Sequence, residues 1–386
     1  MISMDRFSAF APRGLTLGAA ALAVTLAHAD DSQRVLSIDH YVQQISAVPA
    51  VAGEATQLYL RERVRAGLAL RDGVPDDRVV LFVHGAGTPA EVAFDVPHED
   101  YSWMAHLAEA GFDAFSVDMT GYGRSTRPAP MNDPCNLGAE VLATMHLPGT
   151  AACTPSYPGA LTTIASDWSD IDAAVDYIRE LRGVERVHMV GWSLGGPRAG
   201  GYAAANPDKV GRIVLLAPAY DRGRRDAPPA TMPEPGAAFT KQTGTDFVSG
   251  WNRQVGCENQ YDPRAAQIIW QEMLASDPVG ASWGPGLRRA PRTSVWGFNE
   301  RTVSRTRTPM LLVAGIHDVQ VSADRVRDLY EDLGAEQKVL LDLGCASHNA
   351  MWERVHSLMF EASREWLESG TVDGMSSGVI RKGYQR

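Results

Sequence analysis

The sequence has no C-x-x-C pair, no apolar run long enough to cross a bilayer, no basic tract, no heptad pattern, no internal repeat and no low-complexity segment. Each absence removes a class of protein. The cysteines, Cys135, Cys153, Cys257 and Cys345, stand singly, a spacing that excludes zinc-ribbon and dithiol redox motifs. The most apolar stretch, Leu15 to Leu26, falls short of the roughly 20 residues a membrane-spanning helix needs. A formal charge of -10 without any basic run argues against nucleic acid and anionic membranes as partners. Coiled-coil and solenoid architectures fail for want of their periods.

What is present begins with an address. Arg6 and Arg13 precede the short apolar stretch, which ends in Ala27-His28-Ala29, so residues 1–29 read as a cleaved export signal and not as a stable membrane anchor. Residues 1–29 carry a net +1, which leaves a mature chain of -11 bound for a periplasm or the medium. No cysteine lies near the cleavage point, which disfavours a lipoprotein. An even cysteine count in an exported protein implies two disulfides, for which three connectivities exist. Cys135 and Cys153 bracket one polar, Pro-rich excursion from Pro128 to Pro158 and are the expected pair, leaving Cys257 with Cys345.

The remaining chain alternates two patterns. Val35 to Ser46 and Thr56 to Val64 alternate apolar and polar residues and predict an antiparallel hairpin at a sheet edge. Val79 to Val83, Ala114 to Val117, Val187 to Val190, Ile213 to Leu216, Met310 to Val313 and Val339 to Leu341 are short, continuous apolar runs, the signature of parallel strands buried on both faces. Helical spacing appears between them, in Tyr101 to Gly111, Asp167 to Leu181 and Arg198 to Asn206. The alternation predicts an α/β fold with a doubly wound, mostly parallel sheet, whose ligands bind at the carboxyl ends of the strands. From Asp221 to about Thr306 the rhythm breaks, and this insertion contains Trp251, Trp270, Trp283 and Trp296. So long a departure predicts a cap over the open sheet edge. The expected organisation is a core of 30–220 and 307–370, a helical cap of 221–306 inserted after the sixth strand, and a flexible C-terminal tail of 371–386.

The chemistry centres on Gly191-Trp192-Ser193-Leu194-Gly195, directly after a buried strand. The G-x-S-x-G spacing suits a sharp strand-to-helix reversal that lifts a serine hydroxyl clear of the backbone. Such a serine needs a base, and His348 follows the last apolar run in a loop of small residues. The base needs a carboxylate to fix its tautomer. Asp318, after Leu311 to Val313 and a glycine turn, is favoured over Asp221, which opens the charged start of the cap. An oxyanion needs two backbone donors, expected from Leu194 and from Ala86 in His84-Gly85-Ala86-Gly87. His84 and Gly85 take supporting roles in that loop.

These motifs, with Asp118-Met119-Thr120-Gly121-Tyr122-Gly123-Arg124-Ser125 after another strand and the order Ser193, Asp318, His348, resemble the α/β-hydrolase family over nearly all of the mature chain. The elbow resembles that of small carboxylesterases. The resemblance implies Ser193 as nucleophile, His348 as base, Asp318 as acid and Ala86 with Leu194 as oxyanion donors, with no metal or organic cofactor. It implies hydrolysis of a small-molecule ester, with lactone, amide or carbon–carbon hydrolysis as alternatives on the same machinery, or a binding module that has lost turnover. Trp192, Trp251, Trp270, Trp283 and Trp296 are the candidate pocket residues and point to an apolar or aromatic substrate. A dinucleotide reading of Gly85-Ala86-Gly87-Thr88-Pro89-Ala90 fails, because no acidic residue stands about 20 positions on at the end of the second strand.

Overall fold

The computed structural model describes residues 31–69, 73–143, 153–284 and 286–384; the export signal expected at 1–29 lies outside them. The apolar runs become the centre of a nine-stranded sheet. In chain order its strands are β1 (Val35–Ile45), β2 (Ala55–Arg65), β3 (Val79–Val83), β4 (Asp113–Val117), β5 (Val187–Trp192), β6 (Val210–Leu216), β7 (Met310–Gly315), β8 (Lys338–Leu343) and β9 (Ser377–Lys382). Every residue of β3, β4, β5 and β7 is buried, which is why these strands read as continuous apolar runs and not as alternating ones.

The spatial order is β1-β2-β4-β3-β5-β6-β7-β8-β9. β1 pairs antiparallel with β2, with Tyr41 opposite Tyr59, and β2 pairs antiparallel with β4; all later neighbours are parallel. The chain leaves β3 toward β4 on one side and returns as β5 on the other. That reversal opens a crevice outside the carboxyl ends of β3 and β5, the place where open α/β sheets bind ligands.

Helices cover the sheet. The longest, Ile164–Arg182, is started by a reciprocal capping box between Thr163 and Ser166 and stopped by Gly183 in the left-handed region at φ 67°. It buries Ile171, Ala174, Val175 and Ile178, one face at helical spacing, against the sheet. Each of the Ile and Val side chains contributes roughly 1.5–3 kcal/mol by leaving water.

The insertion after β6, the sixth strand of the main sheet, is not purely helical. Helices Gly244–Asn252 and Pro263–Ala275 stand beside an antiparallel pair, Phe239–Thr243 with Leu287–Pro291. The strand pair brackets both helices and ties their ends together. A small second core of Met131, Leu137, Leu161, Ala238 and Phe239 joins the cap to the Pro-rich excursion. Both disulfides form as expected, Cys135 with Cys153 at a Cα separation of 5.3 Å and Cys257 with Cys345 at 5.7 Å.

The C-terminal stretch differs from expectation. Residues 377–382 form β9 in register with β8 where a flexible tail over 371–386 is expected, and Gly344 N donates to Lys382 O over 2.8 Å. The last strand therefore braces the turn that leads to His348.

Candidate active site

The site lies along the crevice, and each of its parts leaves the carboxyl end of a different strand. After β5 the chain reverses through Ser193, whose φ of 56° is uncommon for any residue with a side chain. The reversal is enforced by packing. A Cβ on Gly195 would fall 2.3 Å from Val83 O, and one on Gly191 2.6 Å from Gly195 O, so no larger residue fits at either position. Ser193 N donates to Leu216 O over 3.0 Å, pinning the turn to the next strand.

His348 and Asp318 meet after β8 and β7. His348 Nδ1 lies 2.8 Å from Asp318 Oδ2, and both residues are buried. Asp318 Oδ1 accepts from Gln320 N at 2.7 Å and Val321 N at 2.9 Å, which fixes the carboxylate from its other side. The pairing makes Nδ1 the protonated nitrogen and leaves Nε2 able to accept. Asp221, the rival acid, is exposed and accepts instead from Gly223 N.

Ser193 and His348 line one cavity of about 670 Å³ together with Ala86 and Leu194. Among the described residues neither Ala86 N nor Leu194 N has a protein acceptor, and Ser193 Oγ forms no hydrogen bond with His348. Hydrogen bonds of this kind often close only when a ligand is bound.

The loop after β3 is held from beneath. His84 is fully buried; its Nδ1 lies 2.8 Å from Gly85 O, and its Nε2 accepts from Met119 N at 3.1 Å. Burial, reinforced by the Arg198 charge, pushes its pKa well below the usual imidazole range, so it stays neutral and supports the loop. Gly85 contributes its carbonyl to that support. Arg198 Nη1 donates to His84 O at 2.9 Å and Gly85 O at 3.1 Å, while its Nε donates to Asp167 Oδ2 at 2.7 Å.

The insertion reaches the same loops. Gln254 Oε1 accepts from Val319 N at 3.3 Å and His348 N at 3.4 Å, bridging the Asp318 loop and the His348 loop. Glu353 collects Ser347 N, Ser347 Oγ, Trp251 Nε1 and Gln260 Nε2 within 2.5–2.9 Å. Two of those donors belong to the cap and two to the His348 loop, and burial raises the Glu353 pKa.

Of the expected pocket tryptophans, Trp192 and Trp251 line the cavity; Trp270, Trp283 and Trp296 do not. Trp270 stacks on Phe247 at 5.7 Å and Trp283 packs on Phe239 at 6.1 Å, where they hold the cap together. Trp352 lines the cavity in their place, its ring 5.2 Å from that of Trp192. Arg198, Gln254, Glu353 and Trp352 were not foreseeable as site residues from sequence. The one local signal was Arg198, a lone charge in the small-residue run Gly195-Gly196-Pro197-Arg198-Ala199-Gly200.

Comparison with known proteins agrees with this architecture. The profile described as alpha/beta hydrolase fold matches residues 78–354. A thermophilic esterase from Thermogutta terrifontis, solved with malate bound, is 15% identical, covers 85% of this chain and 98% of its own, and superposes with a TM-score of 0.51. Carboxylesterase CesB from Bacillus subtilis is likewise 15% identical, covers 87% of this chain and 93% of its own, and has a TM-score of 0.50. No curated protein matches by sequence. A parallel sheet with its reversal between β3 and β5, a serine at a strained turn on that crevice and a profile match over most of the length together carry one conclusion: the chain belongs to the alpha/beta hydrolase fold family.

Proposed function

We propose that this chain is an exported serine hydrolase that cleaves a carboxylic ester through an acyl-enzyme. The observation that carries the reading is the 2.8 Å pairing of His348 Nδ1 with Asp318 Oδ2, in a cavity that Ser193 shares. The pairing holds the imidazole in the tautomer whose Nε2 can take a proton.

Ser193 Oγ attacks the ester carbonyl as its proton passes to His348 Nε2. The new imidazolium is stabilised by Asp318, and the tetrahedral oxyanion is held by the unpaired N–H groups of Ala86 and Leu194. His348 then gives the proton to the departing alcohol oxygen. Water attacks the acyl-enzyme by the same path, its proton going first to His348 and then back to Ser193 Oγ. Lactone, amide and carbon–carbon hydrolysis would use these groups too; an ester demands least of the proton donor. The insertion of 221–306 would then act as the specificity cap, and the two disulfides support an oxidising destination such as a periplasm or the medium.

A serine-directed organophosphonate should label the wild type once and Ser193→Ala not at all. On a panel of nitrophenyl esters, Ser193→Ala should lose several orders of magnitude in kcat. An unlabelled wild type, or equal labelling of Ser193→Ala, would overturn the mechanism and favour a binding module.

A further inference from the structure

The cavity beside Ser193 is lined by four cations, Lys241, Arg253, Arg288 and Arg292, against the single carboxylate of Asp246. This is unexpected in a chain with a formal charge of -10. A cleft lined by one sign of charge concentrates ligands of the other sign.

Arg288 stands apart from the other three. It is buried, at 9% exposure, and it comes from the cap strand Leu287–Pro291. Its Nε donates to Gln242 Oε1 at 2.9 Å, Nη2 donates to the same oxygen, and Nη1 donates to Thr88 Oγ1 at 3.2 Å. Both partners are neutral. Among the described residues the other two buried arginines each have a carboxylate, Arg198 with Asp167 at 2.7 Å and Arg289 with Asp277 at 2.6 Å. Among the described residues no carboxylate lies within ion-pair distance of Arg288. Burying a cation without a counter-charge is costly, and here burial brings its pKa down to about 10.

Its position tells what the charge faces. A Cβ built on Gly87 would lie 3.1 Å from both Nη1 and Nη2, so the guanidinium rests against the loop residue next to Ala86. An anion on Arg288 would therefore sit beside the carbonyl that Ala86 and Leu194 are to hold. The fork of two N–H groups matches the two oxygens of a carboxylate.

We infer that the ester substrate carries a carboxylate a few atoms from its scissile carbonyl, and that Arg288 binds this carboxylate as the counter-charge the protein itself omits. The assignment rests on the hydrolase reading for the ester, but not for the anion.

Two measurements keep those parts separate. The nitrophenyl monoester of glutarate should be cleaved with a kcat/KM roughly 10–100-fold above that of its methyl-capped, uncharged counterpart, the span expected for one charge-assisted contact. Arg288→Met should bring the ratio of the two substrates close to one, and Arg288→Lys should restore part of it. An anion preference absent from the wild type, or surviving in Arg288→Met, would overturn the inference. Independently of turnover, titration calorimetry of Ser193→Ala with glutarate should show saturable binding that is lost in the Ser193→Ala, Arg288→Met double variant. No binding, or binding of inorganic phosphate in preference to glutarate, would overturn the carboxylate assignment even if every ester were hydrolysed. The Met variant should melt no lower than the wild type, because it removes an unpaired buried charge; a large loss of stability would mark Arg288 as a structural strut instead.

Discussion

Trp192 donates its indole N–H to the carbonyl oxygen of His348 over 2.8 Å, so the residue before Ser193 holds the backbone of the His348 loop. The two side chains also pack, their ring centroids 5.5 Å apart. The second residue of the G-x-S-x-G motif thus helps to position the His348 loop. Trp192→Phe keeps most of the ring and removes the donor. Leaving that buried carbonyl unpaired costs about 1–3 kcal/mol. If the cost appears as displacement of His348 from its working position, kcat should fall about tenfold with KM little changed. Steady-state kinetics would decide it, and an unaltered kcat would mean that Gln254 and Glu353 hold the loop without help.

The two disulfides should differ in what they protect. Cys257 and Cys345 are separated by 88 positions and join the cap to the turn before His348, whereas Cys135 and Cys153 are separated by 18 and close one excursion. Loop-closure entropy gives roughly 4–5 kcal/mol for the longer link and about 3 for the shorter. The Cys257→Ser, Cys345→Ser variant should lose both melting temperature and esterase activity. The Cys135→Ser, Cys153→Ser variant should lose stability with smaller loss of activity. Equal activity in the two variants would show that the link between cap and base loop is dispensable for turnover.

A buried histidine away from the cavity gives a pH dependence with a definite sign. His188 accepts from Arg212 N at Nδ1 over 2.8 Å and lies 3.1 Å from Asp77 O at Nε2, an arrangement that uses the neutral ring fully. Burial, aided by the Arg212 charge, lowers its pKa to about 4. The unfolded chain takes up that proton near pH 6.5, so the stability His188 contributes is complete above about 6.5 and is lost as pH falls toward 4. The loss amounts to roughly 3 kcal/mol. Burial raises Asp118 and Asp170 to about 6, which gives them the opposite slope, with stability gained as pH falls through 6. His188→Gln removes the one contribution and leaves the other two. Denaturant unfolding at pH 6.5 and pH 4 should therefore show a smaller acid loss in the variant than in the wild type, and an identical loss would refute the assignment.

The parts of the site that were legible in the sequence are those fixed by local backbone rules. Buried parallel strands must be apolar throughout, so β3 to β8 announced themselves, and residues at their carboxyl ends could be named in order. Asp318 could be preferred over Asp221 because a glycine turn follows its strand. β9 could not be read this way: only Ile380 of Ser377–Lys382 is buried, and the strand exists because β8 offers it a ladder. Trp352 could not be read this way either: the α-helix begins at His356, and a short 3-10 turn, Ala350–Trp352, carries the ring into the cavity. Arg288 was one charge among many in the cap. What distinguishes it is the absence of a counter-charge around it, and a linear sequence does not display the neighbours of a side chain.

Gln254 gives the cap a stake in the chemistry that its place in the chain would not foretell. One amide oxygen from the insertion serves the backbone of both Val319 and His348, on loops that leave two different strands of the core. Caps of this kind invite recombination, since an insertion between two strands looks like an interchangeable part. In this chain a transplanted insertion would leave the N–H groups of Val319 and His348 without their acceptor unless it brought an equivalent amide. An engineer who replaces the insertion will therefore have to rebuild this bridge between the Asp318 and His348 loops as well.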